Sequence, residues 1–141
     1  MSTNIEKAAT LSPFVTLARR LYLVLAWGFL AFITIQVFLA GLGLFVSWEY
    51  WEMHRNWATY FAFVPIVMLV LAFLGKMPVS LRWISFGLYL MIVAQFLTVV
   101  FKSTLGALSS LHPVIALLLF WGSIITVSQG RHLAAAHRNE V

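Results

Sequence analysis

Four residues inside or beside long apolar stretches are of types that carry chemistry: Gln36, His54, Gln95 and His112. Their spacing repeats. Gly28 is followed by Gln36 after 8 residues and by His54 after a further 18; Gly87 is followed by Gln95 after 8 and by His112 after a further 17. Each half reads as a helical hairpin with a Gln in its first helix and a His at the entry to its second. Two hairpins running in the same sense form a parallel repeat, whose pseudo-two-fold axis lies along the membrane normal. Such an axis sets His54 and His112 at similar depth, across from each other. Two facing imidazoles suit a six-coordinate haem iron, in which a planar ring fills four positions and two axial nitrogens fill the rest. Imidazole is also a ligand for copper and zinc. The blander alternatives are an interfacial His54 between Glu52 and Arg55, and a His112 that caps a helix carrying Pro113 in its first turn.

Gln36 and Gln95 lie deeper than the histidines, within apolar helices where a polar group needs a partner. They either orient a His ligand or a porphyrin propionate, or pin the bundle by interhelical hydrogen bonds. Gly41 and Gly43 are the glycines best placed to face a flat macrocycle, with close helix packing as the alternative. Arg55 and Lys102 are cations for propionates. Glu49 and Glu52, beside His54, either do acid–base work or favour a helix start by their charge. No cysteine is present and no serine lies in a nucleophile-elbow setting. No catalytic residue is assigned, and the pattern points away from an enzyme. His132 and His137, five apart on a basic Ala-rich tail, are poorly placed to share a metal and read as solvent-facing.

The elements that must position these residues are membrane helices. Of 141 residues, 62% are apolar and 9% are charged, with a mean hydropathy of +0.97. A soluble domain carries about 25% charge. The excess of nine basic over four acidic residues sits mostly at the ends of apolar runs, so it reads as membrane topology and not as a nucleic-acid surface. Four runs approach the length of a span, near 21–45, 57–74, 83–101 and 114–127. Their continuous apolarity excludes the alternating pattern of a membrane β-barrel. Pro65 predicts a kink in the second. The first is too long for a cleaved signal and lacks a cleavage site.

Four spans put both termini on one side. That side holds Lys7, Arg19, Arg20, Lys76, Arg82, Arg131 and Arg138; the other holds Arg55 and Lys102. The bias places both termini in the cytoplasm. Trp48, Tyr50, Trp51 and Trp57 form an outer aromatic belt, and Trp83 belongs to the inner one. The expected organisation is a cytoplasmic N-terminal arm over 1–18, a four-helix transmembrane bundle over 19–129 and a basic cytoplasmic tail over 130–141.

Three stretches carry a resemblance: Gln36-Val37-Phe38-Leu39-Ala40-Gly41, Trp51-Glu52-Met53-His54-Arg55 and Leu111-His112-Pro113-Val114-Ile115-Ala116-Leu117. Together they resemble the four-helix half-bundle of the haem A synthase family, and small uncharacterised four-helix membrane proteins of prokaryotes. In the synthases a Glu-x-x-His-Arg motif enters the second helix, a second His enters the fourth, and such His pairs hold haem. The resemblance implies axial-ligand roles for His54 and His112 and a prokaryotic cytoplasmic (inner) membrane. Two departures limit it. Glu52 lies two residues before His54 and Glu49 five before, neither at the family's spacing of three, and the chain is one half-bundle where the synthases use two. Synthase activity is not implied.

The expectation is an all-α, integral membrane four-helix bundle of two parallel hairpins, binding haem b between two histidines for electron transfer. Its partners would be the lipid bilayer and a quinone or membrane redox partner, in a homo-oligomer or a larger membrane complex. The alternative is a non-enzymatic accessory or scaffold subunit of such a complex. A transporter is disfavoured because the helix interiors carry Gln and no charge.

Overall fold

The computed structural model describes residues 11–139, which contain no strand. The helices are α1 (Pro13–Phe45), α2 (Glu49–Phe61), α3 (Val64–Leu74), α4 (Val79–Val100), α5 (Lys102–Leu105) and α6 (Leu111–Asn139), with a 3-10 segment at Gly106–Ser110 before α6. Four helical stretches, Pro13–Phe45, Glu49–Leu74, Val79–Val100 and Lys102–Ala136, are long and apolar enough to cross a membrane. The shortest has 22 residues, about 33 Å of helix, enough for a hydrocarbon core of about 30 Å. This is the build of an integral membrane protein.

Local chemistry sets the boundaries. Ser12 caps α1 by accepting from the Val15 amide at 3.4 Å, with Pro13 in the first turn. Of the expected 1–18 arm, residues 1–10 lie outside the described residues, and residues 13–18 are the opening turns of α1. The second span is broken at Ala62–Phe63, just before Pro65. The proline ring clashes with the carbonyl four residues back and has no N–H to donate to it. α3 ends in a left-handed cap: Lys76 has φ 46°, its amide donates to Phe73 O, and the Met77 amide donates to Ala72 O. α6 runs well past the apolar segment expected at 114–127, because its Ala-rich tail is a strong helix former even though it is not apolar enough to insert. The side chain of His137 lies outside the described residues; His132 is exposed.

α1 packs on α2, α3 and α6, and α4 packs on α3 and α6. The spans therefore close a ring in chain order. α1 faces α4 across one diagonal; α2 and α3 face α6 across the other. Buried positions recur at spacings of four and three: Tyr22, Ala26, Phe29 and Ile33 on α1, Leu81, Ser85, Leu88 and Ile92 on α4, and Leu119, Ser123, Thr126 and Gly130 on α6. That period keeps one seam of each helix turned inward at a shallow crossing angle. Across the first diagonal, Ser85 Oγ donates to its own helix at Leu81 O, so the Tyr22 hydroxyl donates to Ser85 Oγ at 2.8 Å.

The two ends of the bundle differ. The terminal end holds the start of α1, the α3–α4 turn and the end of α6. There Arg19 Nε donates to Gly75 O at 2.8 Å, and Nη2 reaches Lys76 O at 3.4 Å, tying α1 to the C-terminus of α3. The other end holds both histidines. No residue of α2, α5 or the 3-10 segment is buried, nor is any of residues 40–45 or 111–118. The most enclosed residues lie in the middle and at the terminal end, and the histidine end is more exposed.

Candidate functional site

His54 stands in the second turn of α2 and His112 in the first turn of α6, helices that lie across the second diagonal. Their ring centroids are 6.4 Å apart, with planes inclined at 55°. Both rings are half-buried.

Each imidazole is tied through Nδ1 to the preceding helix. His54 Nδ1 lies 3.0 Å from the backbone carbonyl of Gln36 on α1. The side-chain amide nitrogen of Gln36 lies 2.9 Å from the same Nδ1; the carbonyl can only accept a proton from Nδ1 and the amide can only give one, so the two contacts call for opposite tautomers of His54. His112 Nδ1 lies 2.9 Å from Thr98 Oγ1 on α4. That hydroxyl gives its own proton to Gln95 O at 2.7 Å, so it accepts from His112. The Nε2 of His112 is left as a base. Metal-bound histidines are held in this way, with the second ring nitrogen donating to a carbonyl or a polar group.

The two glutamines behave differently. The Gln36 amide, oriented to match its neighbours, has its nitrogen 3.0 Å from His54 O and 2.9 Å from His54 Nδ1 and accepts from the Ala58 amide at 3.2 Å. Its side chain thus bonds α1 to the backbone of α2, while its own carbonyl meets the imidazole. Gln95 Oε1 is buried and has no hydrogen-bond partner, and neither has Ser109 Oγ in the 3-10 segment before His112. Gln95 acts on His112 through its backbone, by way of Thr98.

Trp51 stands edge-on to His54 at 5.7 Å between centroids. It fits there because Gly43 has no side chain: a Cβ would meet the indole at 2.8 Å. Gly43 therefore makes room for Trp51, whereas Gly41 opens on free space with nothing within 4 Å. Trp48 and Trp57 are exposed, as a belt requires. Arg55 and Lys102 are exposed at the same end, as are Glu49 and Glu52. Thr98 escapes a reading of the sequence that follows the repeat, because the position matching it in the first half is Leu39. Its signal is a hydroxyl in an apolar helix three residues after Gln95. Trp51 is legible as an interfacial aromatic but not as a wall of the histidine site.

Among the described residues no three His, Asp or Glu side chains converge on a point that could hold a metal ion. A tetrahedral zinc site built from protein alone is thus incomplete here. Two imidazoles on opposite sides of one ion, with nitrogen–metal bonds of about 2.0–2.1 Å, have centroids roughly 6–6.5 Å apart. The separation observed falls in that range. Two imidazoles alone do not complete the shell of such an ion, so an ion held here would bring its other ligands with it.

Over residues 36–101 the chain matches the model of a family of unknown function (DUF6220). No curated protein and no solved structure matches the chain. The matched stretch includes Gln36, His54, Gln95 and Thr98 and stops before His112.

Proposed function

We propose that this chain is a small b-type haem protein of the membrane, in which His54 and His112 are the two axial ligands and the role is one-electron transfer or haem holding. The observation that carries the reading is the 6.4 Å separation of the two rings, with each Nδ1 bound to the neighbouring helix. A haem with both axial positions taken by imidazole exchanges single electrons and leaves no open site for oxygen.

The chain's residues would divide the work as follows. Thr98 would hold the tautomer of His112, and Gln36 would hold the His54 ring in place. Trp51 braces His54 and keeps water from one side. Arg55 and Lys102 supply positive charge for the propionates.

The parallel repeat supports equivalent ligand positions. Phe29, Ile33 and Gln36 pair in register with Leu88, Ile92 and Gln95; Met68 and Ala72 pair with Thr126 and Gly130. All of these are buried except Gln95, which is half-buried. The Lys and Arg bias puts both termini in the cytoplasm. The site then faces outward, in reach of a quinone or an outward-facing redox partner, and the resemblance favours a prokaryotic cytoplasmic membrane.

The test is a pair of absorbance spectra, oxidised and reduced, of the protein purified in mild detergent from haem-replete cells. The expected result is a low-spin b-type spectrum that is lost or becomes high-spin in His54→Ala and in His112→Ala. A protein that stays colourless after reconstitution with haem would sink the reading, and an accessory subunit of a larger complex would replace it.

A further inference from the structure

A second feature lies at the opposite end of the bundle. A slot of about 430 Å³ opens between α3 and α4, walled by Leu69, Phe73, Val79, Trp83 and Phe86, with Arg82 among them. The α4 contributors, at positions 79, 82, 83 and 86, share one helix face. They cover about 10 Å of helix length, from the mouth of α4 towards the bilayer interior.

Arg82 is the one charged residue in this wall. Its guanidinium carbon lies 4.9 Å from the centroid of the Phe73 ring, a cation–π contact that holds the head inside the slot. Nε is enclosed and has no hydrogen-bond partner, so the terminal nitrogens are what the head can offer a ligand. No carboxylate among the described residues balances it: Glu49 and Glu52, the two acids described, sit at the histidine end. Arg19, Arg20, Lys76 and Arg131 add to the positive charge of the terminal end.

An occupant must therefore carry an anionic head and an apolar tail. We propose that the α3–α4 slot is a binding site for an acidic phospholipid, with its phosphate on Arg82 and an acyl chain along Phe73, Trp83 and Phe86. Basic pockets between membrane helices bind such head groups, and a planar guanidinium matches a phosphate in two-point contact. The site is separate from the histidine pair and does not depend on haem.

The test is native mass spectrometry of the full chain, titrated with phosphatidylglycerol and with phosphatidylcholine of identical acyl chains. Wild-type protein should hold one phosphatidylglycerol at least about fivefold more tightly than phosphatidylcholine, the scale expected for one cation near a lipid phosphate. Arg82→Gln should abolish the preference, and Arg131→Gln should keep it. Excess inorganic phosphate should not displace the lipid. In the wild type, phosphatidylglycerol with a photoreactive acyl chain should label residues 69–73 and 79–86. Equal affinity for the two lipids, a preference that survives Arg82→Gln, displacement by inorganic phosphate, or labelling confined to other helices would each overturn the proposal.

Discussion

The Thr98 hydroxyl sits 2.9 Å from Nδ1 of His112 and passes its own proton to Gln95 O at 2.7 Å, and this relay decides which nitrogen of His112 is free. His54 has no such relay: its Nδ1 lies 3.0 Å from the Gln36 carbonyl and 2.9 Å from the Gln36 amide nitrogen. Thr98→Val keeps the shape and removes the relay. Loss of such an outer partner typically costs 10- to 100-fold in metal affinity. Under the proposed haem ligation, haem retention in the valine variant should fall by about that factor while the circular dichroism spectrum is unchanged, and Thr98→Ser should restore it. Unaltered haem affinity in Thr98→Val would show that the hydroxyl only satisfies the helix.

The four spans are legible because a membrane helix must be apolar along its whole length, and hydropathy reads that requirement directly. The break before Pro65 is legible for a similar reason: proline removes a donor whatever surrounds it. The ends are less so. α1 begins at Pro13 and α6 continues to Asn139, because capping and alanine content extend a helix past the region that hydropathy measures. At the site, the pairing of His54 with His112 follows from the repeated spacing. The parts of the site that depend on facing helices are not legible. Nothing in the sequence says that Gln36 would meet His54 with both its backbone carbonyl and its side-chain amide, or that Gly43 would lie under Trp51.

Gly41 and Gly43 lie two residues apart on α1, about 200° around the helix, and substitution separates their roles. A methyl group on Gly43 would lie 2.8 Å from the Trp51 indole, whereas one on Gly41 meets nothing within 4 Å. Gly43→Ala must displace Trp51 from its place beside His54, at a cost of about 1–3 kcal/mol for overpacking. Gly41→Ala should change stability by no more than about 0.5 kcal/mol. Thermal unfolding in detergent, followed by tryptophan fluorescence, measures both. A Gly43→Ala protein with wild-type stability and fluorescence would show that the indole moves away freely.

Arg19 and Arg20 are equivalent as topology signals, yet only Arg19 is bonded, to Gly75 O and Lys76 O. A hydrogen bond from a charged donor contributes about 1.5–3 kcal/mol. Partial exposure reduces this to about 1 kcal/mol. Arg19→Gln should therefore lower the unfolding midpoint measurably and loosen the α3–α4 turn to proteolysis or hydrogen exchange. Arg20→Gln should do neither. The same loss in both variants would assign the effect to net charge and not to the cap.

Tyr22 and Ser85 test what holds the first diagonal together. Both are fully enclosed, and their hydroxyls meet at 2.8 Å. Tyr22→Phe leaves no orphan behind, because Ser85 still donates to Leu81 O. The expected cost is the bond alone, about 0.6 kcal/mol for an average interhelical hydrogen bond in a membrane protein. Ser85→Ala is different: it strands the Tyr22 hydroxyl in an apolar core, where a donor without a partner costs about 1–3 kcal/mol. Ser85→Ala should thus destabilise more than Tyr22→Phe, and the double variant should recover much of the difference. Equal losses that simply add would mean that water reaches the tyrosine and the diagonal is wetter than its burial indicates.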